Sequence, residues 1–193
     1  MTKTSWLLAL CGILDAMHAG LNLMMLNPGG SLGLRRGASV HTVWDMGLLA
    51  LLAGVCAIAV GAWSGGRSHS WLLSLHGLAL GAFGLIAVTP LVRGPLSFRP
   101  VSLLFIVMSL SVAAFAIREA GGRPLFRAAG AVSIGYAVSF LAVGFNRIRL
   151  APPNSYWIWM ASFFAFCAVF MVWLALRWDG ARLPALPSLR HAH

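Results

Sequence analysis

The sequence predicts an all-α polytopic membrane protein of six transmembrane helices. Three observations predict it. Apolar residues make up 60% of the chain and charged residues 9%, where a soluble domain carries about a quarter charged. The apolar residues fall into six runs of about twenty, the length that crosses a bilayer core. No run shows strand alternation, and in lipid a backbone must satisfy its own hydrogen bonds, so each run is helical.

The runs take residues 5–27, 42–63, 70–90, 101–118, 125–145 and 156–177. The first starts at SWLLALCG and stops at NPGG (27–30). The second stops at SGGR (64–67), the third at TPLVRGP (89–95) and the fourth at AGGR (120–123). The fifth opens at LFRAAG (125–130) and ends before APPN (151–154), and the sixth stops at DGAR (179–182). Gly and Pro at these places end helices. A signal peptide would need a small-residue cleavage site where Asp15 and His18 stand, and its apolar core would not continue to Leu26. The first run is therefore read as a retained helix.

The punctuation repeats. SWLLALCG (5–12) returns as SWLLSLHG (70–77), and LFRAAG aligns Gly130 with Gly12 and Gly77. The expected organisation is one membrane domain over 1–182, built from three helical hairpins (about 5–67, 70–123 and 125–182), with a short tail over 183–193. Gly47, Gly54 and Gly61 recur every seven residues, and Gly77, Gly81 and Gly84 stripe the next helix. Small residues of this kind let helix backbones approach within a bundle.

The formal charge is +10, which in a soluble domain would point to nucleic acid. Here the basic residues sit between apolar runs, so membrane lipids are the expected partner and nucleic acid is not. Lys3, Arg67, Arg118, Arg123, Arg127, Arg177, Arg182 and Arg190 share the side of the termini, against Arg35, Arg36, Arg93, Arg99, Arg147 and Arg149 opposite. Eight against six places both termini in the cytoplasm. Trp6, Trp63, Trp71 and Trp178 would form an aromatic belt there. The loop over 31–40, with Arg35 and Arg36, would lie along headgroups. Cys11, Cys56 and Cys167 have no CxxC spacing and read as small buried apolar residues.

The repeat of two-helix units, with SWLLSLHGLALGAFGLIAVTPLVRGPLS (70–97) and AIREAGGR (116–123), resembles the HdeD family of six-helix bacterial inner-membrane proteins. The likeness covers nearly the whole chain and is clearest over 48–145. It implies a non-enzymatic protein of the inner membrane with a part in acid or envelope stress. It brings no catalytic motif and no cofactor. The partner, whether a second copy or another membrane protein, stays open.

The residues that neither composition nor resemblance accounts for are polar ones inside the first three helices. Asp15, His18 and Asn22 lie three and four apart on one face, His41 and Asp45 share another, and His76 lies early in helix three. At about 1.5 Å per residue, Asp15 sits near mid-bilayer, where a lone charge costs on the order of 3 kcal/mol. Asp15, His18, His41, Asp45 and His76 are therefore expected to face the bundle interior, with Asp15 in reach of His18 or His76 and Asp45 approaching the His18–Asn22 face from helix two. Three readings stand: interhelical hydrogen bonds that hold the helices together, a proton-responsive or ion-conducting network, or a site in which His18, His41, His76, Asp15 and Asp45 ligate a divalent metal or His18 and His76 hold a haem. No residue pattern of a hydrolase or a phosphate-binding loop is present, so no enzyme and no catalytic residue is expected.

Overall fold

The computed structural model describes residues 2–25, 40–64, 69–89, 98–121, 123–145 and 154–178. They form six helices: α1 (Lys3–Met24), α2 (Val40–Trp63), α3 (Trp71–Val88), α4 (Phe98–Glu119), α5 (Pro124–Gly144) and α6 (Asn154–Trp178). All six are long and apolar enough to cross a membrane. Among the described residues there is no strand. The tail over 183–193, nearly all of the loop over 31–40 and the His41 side chain lie outside the described residues.

Local chemistry sets the helix ends. Thr2 caps α1, its hydroxyl accepting from the Ser5 backbone N–H at 3.3 Å, which satisfies one of the donors a helix start leaves open. Pro124 opens α5, where the missing N–H would have had no partner. Beyond α4, Gly121 takes φ +43° and the Arg123 N–H closes back onto the Ala120 carbonyl. That left-handed turn is what the AGGR terminator supplies, since a side chain there would clash with its own backbone. His69 and Glu119 pair at 3.4 Å across the starts and ends of α3 and α4.

The helices form a closed circuit. Neighbours in sequence pack from α1 through α5, and α6 returns to α1. Between α5 and α6 the contact is made by side chains. Phe140 meets Trp159 at 4.3 Å, Tyr136 meets Phe163 at 5.2 Å, and Trp159 Nε1 donates to Ser139 at 3.2 Å. The most extensive packing runs α2 with α3, α1 with α6 and α4 with α5. Each of these pairs joins neighbouring hairpins of the expected repeat.

Glycine makes those approaches close. Along α2 and α3, Gly47 lies against Gly84, Gly54 against Gly77, and Gly61 against Ser70 and Ser74. Seven residues up one helix are matched by seven down the other, an antiparallel seam. A methyl group on Gly54 would stand 2.7 Å from the Gly77 carbonyl oxygen. Gly12 meets Ala168 and Val172 of α6, and Gly130 meets Ile117 of α4.

The centre is aromatic. Phe105 is 1% exposed and touches Phe83, Phe140, Phe163 and Phe164 at 4.8–5.9 Å. Outward positions carry Leu, Ile and Val, with Trp6, Trp63 and Trp71 exposed near helix ends. Trp178 departs from the expected belt: it is buried and belongs to the core, because the last turn of α6 turns this ring inward.

Candidate functional site

One face of α1 holds Leu8, Cys11, Asp15, His18 and Asn22, all at most 1% exposed. Their spacing of three and four residues explains the shared burial. His76, on α3, is equally buried. Four of the six polar residues singled out in the sequence thus lie in the interior, and His41 has no described side chain.

Asp45 does not join them. The expectation that it faces the bundle is corrected: Asp45 is exposed, while its neighbours Met46 and Gly47 turn inward. It is the third residue of the apolar stretch that begins at Val43, close enough to the end of the span for a carboxylate to meet water. The four-residue spacing from His41 gave a common face but not the direction of that face.

Each buried group has its own surroundings. Asp15 accepts from the Cys11 thiol at 4.0 Å, and the same thiol lies 3.5 Å from the Ala53 carbonyl of α2. Asn22 donates to the His18 carbonyl at 2.9 Å. The His18 ring stacks on Phe164 of α6, centroids 3.7 Å apart and planes 20° from parallel, with Phe83 of α3 at 6.0 Å. It also hydrogen-bonds the Met46 backbone of α2, and its Nδ1 has no partner. His76 Nδ1 lies 3.3 Å from the Met108 carbonyl of α4, which Ser111 also reaches at 2.8 Å. A carbonyl only accepts, so His76 carries its proton on Nδ1. Its Nε2 is left as a buried lone pair without a partner.

Among the described residues no hydrogen bond or ion pair joins Asp15 to a histidine. The expected Asp–His contact is replaced by separate placements, because Phe164 and Met46 occupy His18 and Met108 occupies His76. Four helices besides α1 take part: α2 through Met46 and Ala53, α3 through Phe83 and His76, α4 through Met108 and α6 through Phe164. The set is a buried polar file beside an aromatic core, not a connected ladder.

The cysteines were missed as neighbours of this file. Cys11, Cys56 and Cys167 are buried free thiols on α1 and on the two helices packed against it, α2 and α6, and Cys11 contacts Asp15 at 4.0 Å. Cys11 and Asp15 stand four apart in sequence, and nothing in the sequence announces the other two. Among the described residues no group of three or more His, Cys, Asp or Glu is placed to hold a metal ion. A groove of about 290 Å³, lined by Val132, Gly135, Tyr136, Ser139 and Trp159, shares no residue with the file. No protein-family model, no curated protein and no solved structure matches the chain.

Proposed function

We propose that this is a non-enzymatic protein of the bacterial inner membrane that protects or senses during acid or envelope stress, as its HdeD resemblance implies. In this reading the buried Asp15–His18–His76 set is the acid-responsive element. The observation that carries it is the pair of buried ring nitrogens without partners, His18 Nδ1 and His76 Nε2. Each is a proton acceptor in a core packed for a neutral ring. A proton on either creates an N–H with no acceptor in place and a charge in an apolar interior, and both are costly. Acidification therefore loads the resting packing, and a shift of the surrounding helices relieves it.

The test is tryptophan fluorescence of the protein in liposomes, taken from about pH 8 to about pH 2.5, a window that reaches well below the ordinary histidine range because the core is packed for neutral rings. The wild type is expected to show a reversible sigmoidal change. His18→Gln with His76→Gln should abolish it while the protein stays folded, and Asp15→Asn should shift it. A flat wild-type trace would overturn the reading. In cells, loss of the protein should lower acid survival, and the double histidine variant should not restore it.

A second reading has one observation in its favour. Cys11, Asp15, His18 and Asn22 run along α1 for about 16 Å at 1.5 Å per residue, the layout of a proton-conducting path. The same liposomes with an enclosed pH-sensitive dye separate the two, because conduction dissipates an imposed proton gradient and sensing does not.

Two further features belong to the proposal. The three-hairpin repeat is supported by Gly12, Gly77 and Gly130, which the repeat aligns. Each packs its odd-numbered helix on the preceding even one around the circuit, α6, α2 and α4. Cytoplasmic termini follow from the basic residues, and a reporter fused after His193 that works only in the cytoplasm should be active. Activity of a periplasm-only reporter there would reverse the orientation.

A further inference from the structure

His18 is 1% exposed, and a charge on it must be borne by its immediate surroundings. The groups around it are few. On α1 there are Asp15, three residues back, and Cys11 beyond it. From α2 come the Met46 backbone and, past Asp15, Cys56. From α3 comes Phe83, with His76 about two turns earlier on that helix. From α6 come Phe164 and, one turn on, Cys167. From α4 comes Phe105, one ring further out, which touches Phe83 and Phe164. No Lys or Arg lies among them, and Asp15 makes no hydrogen bond to the ring.

What the ring does touch, face to face at 3.7 Å, is Phe164. The face of a phenyl ring is the negative part of its quadrupole, and it attracts a cation most strongly where water is excluded. A neutral imidazole gains only dispersion from that contact, whereas an imidazolium gains the ion–quadrupole attraction as well. The pair is held by its surroundings: Phe164 is 1% exposed and lies against Phe105 and Phe163 at 5.9 and 5.4 Å.

We propose that Phe164 is the residue that tunes proton uptake by His18, its ring face serving as the receptor for the protonated imidazole. Phe164 is thus a positioning residue in the acid response and not a mere filler of the core. This inference rests on the acid-responsive reading, and the experiment keeps the two apart.

The experiment is the same fluorescence titration in liposomes, made on variants of Phe164. Phe164→Leu removes the ring face and is expected to move the midpoint about one pH unit to lower pH, a tenfold loss of proton affinity. Phe164→Tyr keeps the face and should restore the midpoint. Because Leu also opens a cavity, the decisive variant replaces Phe164 by pentafluorophenylalanine, which has nearly the same shape and a reversed quadrupole. It should lower the midpoint as Leu does, and it should do so again in an Asp15→Asn background, since Asp15 acts separately. A wild type with no transition ends the acid-responsive reading and this inference with it. A wild-type transition whose midpoint is unmoved by pentafluorophenylalanine leaves that reading standing and overturns this inference alone.

Discussion

Gly54→Leu is expected to abolish the folded protein, seen as loss of the monodisperse species in detergent and loss of membrane-inserted material. The reason is that both backbones of the α2–α3 seam already touch. A Cβ on Gly54 would stand 2.7 Å from the Gly77 oxygen and the Gly81 nitrogen, and 2.9 Å from the Gly81 Cα. None of these is the movable end of a side chain, so the helices must separate. Separation undoes the facing contacts at Gly47–Gly84 and Gly61–Ser70 too, since one rigid helix carries all three. Overpacking a core costs about 1–3 kcal/mol where side chains yield, and here the obstacle is main chain, so the cost is at the upper end or beyond. Gly54→Ala should lower the unfolding temperature clearly. Gly20→Ala is the control: no atom lies within 4 Å of a Cβ there, and stability should hold or rise slightly through helix propensity. Equal tolerance at Gly54 and Gly20 would refute the seam.

Phe105→Ala should be the most damaging truncation of a side chain, by about 3–5 kcal/mol in thermal or denaturant unfolding. Phe105 stands at the meeting point of rings from α3, α5 and α6, and no single helix can move to fill its place. The effect reaches further than stability. Phe83 and Phe164, the two rings against His18, both lean on Phe105. The variant should therefore broaden the acid transition as well as weaken the fold. Phe105→Leu, which keeps most of the volume, should cost markedly less.

Much of the architecture was legible because the bilayer imposes a length. Six runs of about twenty apolar residues had one physical solution, and the helices differ from them by only a few residues at each end. The differences have causes: α4 begins at Phe98, three residues before the expected start, because a proline in the first turn, here Pro100, breaks no hydrogen bond. The inward face of α1 was legible for the same kind of reason, as Asp15, His18 and Asn22 recur at helical spacing.

What was not legible was the identity of neighbours. Periodicity tells that two residues share a face, not where the face points or what it meets, and Asp45 shows the first limit. Phe164, Met46 and Met108 show the second. They belong to other helices, Phe164 to the last one, and nothing in their own segments marks them as the surroundings of a histidine. Cys56 and Cys167 come to the same side of the bundle as Asp15 because α2 and α6 both pack on α1, a fact of packing order. Spacing along one helix carries no trace of it.

The closure of α6 onto α1 has a consequence for biogenesis. A ribosome delivers α1 first and α6 last, yet Gly12 packs on Ala168 and Val172, and His18 lies on Phe164. Through most of synthesis, then, the nascent chain holds a helix bearing Asp15, His18 and Asn22 with its final neighbour unmade. Until α6 arrives one wall around that polar face is missing, and lipid is a poor host for such a face. A chain that stops before α6 leaves this face without the Phe164 wall that closes over His18 in the finished protein.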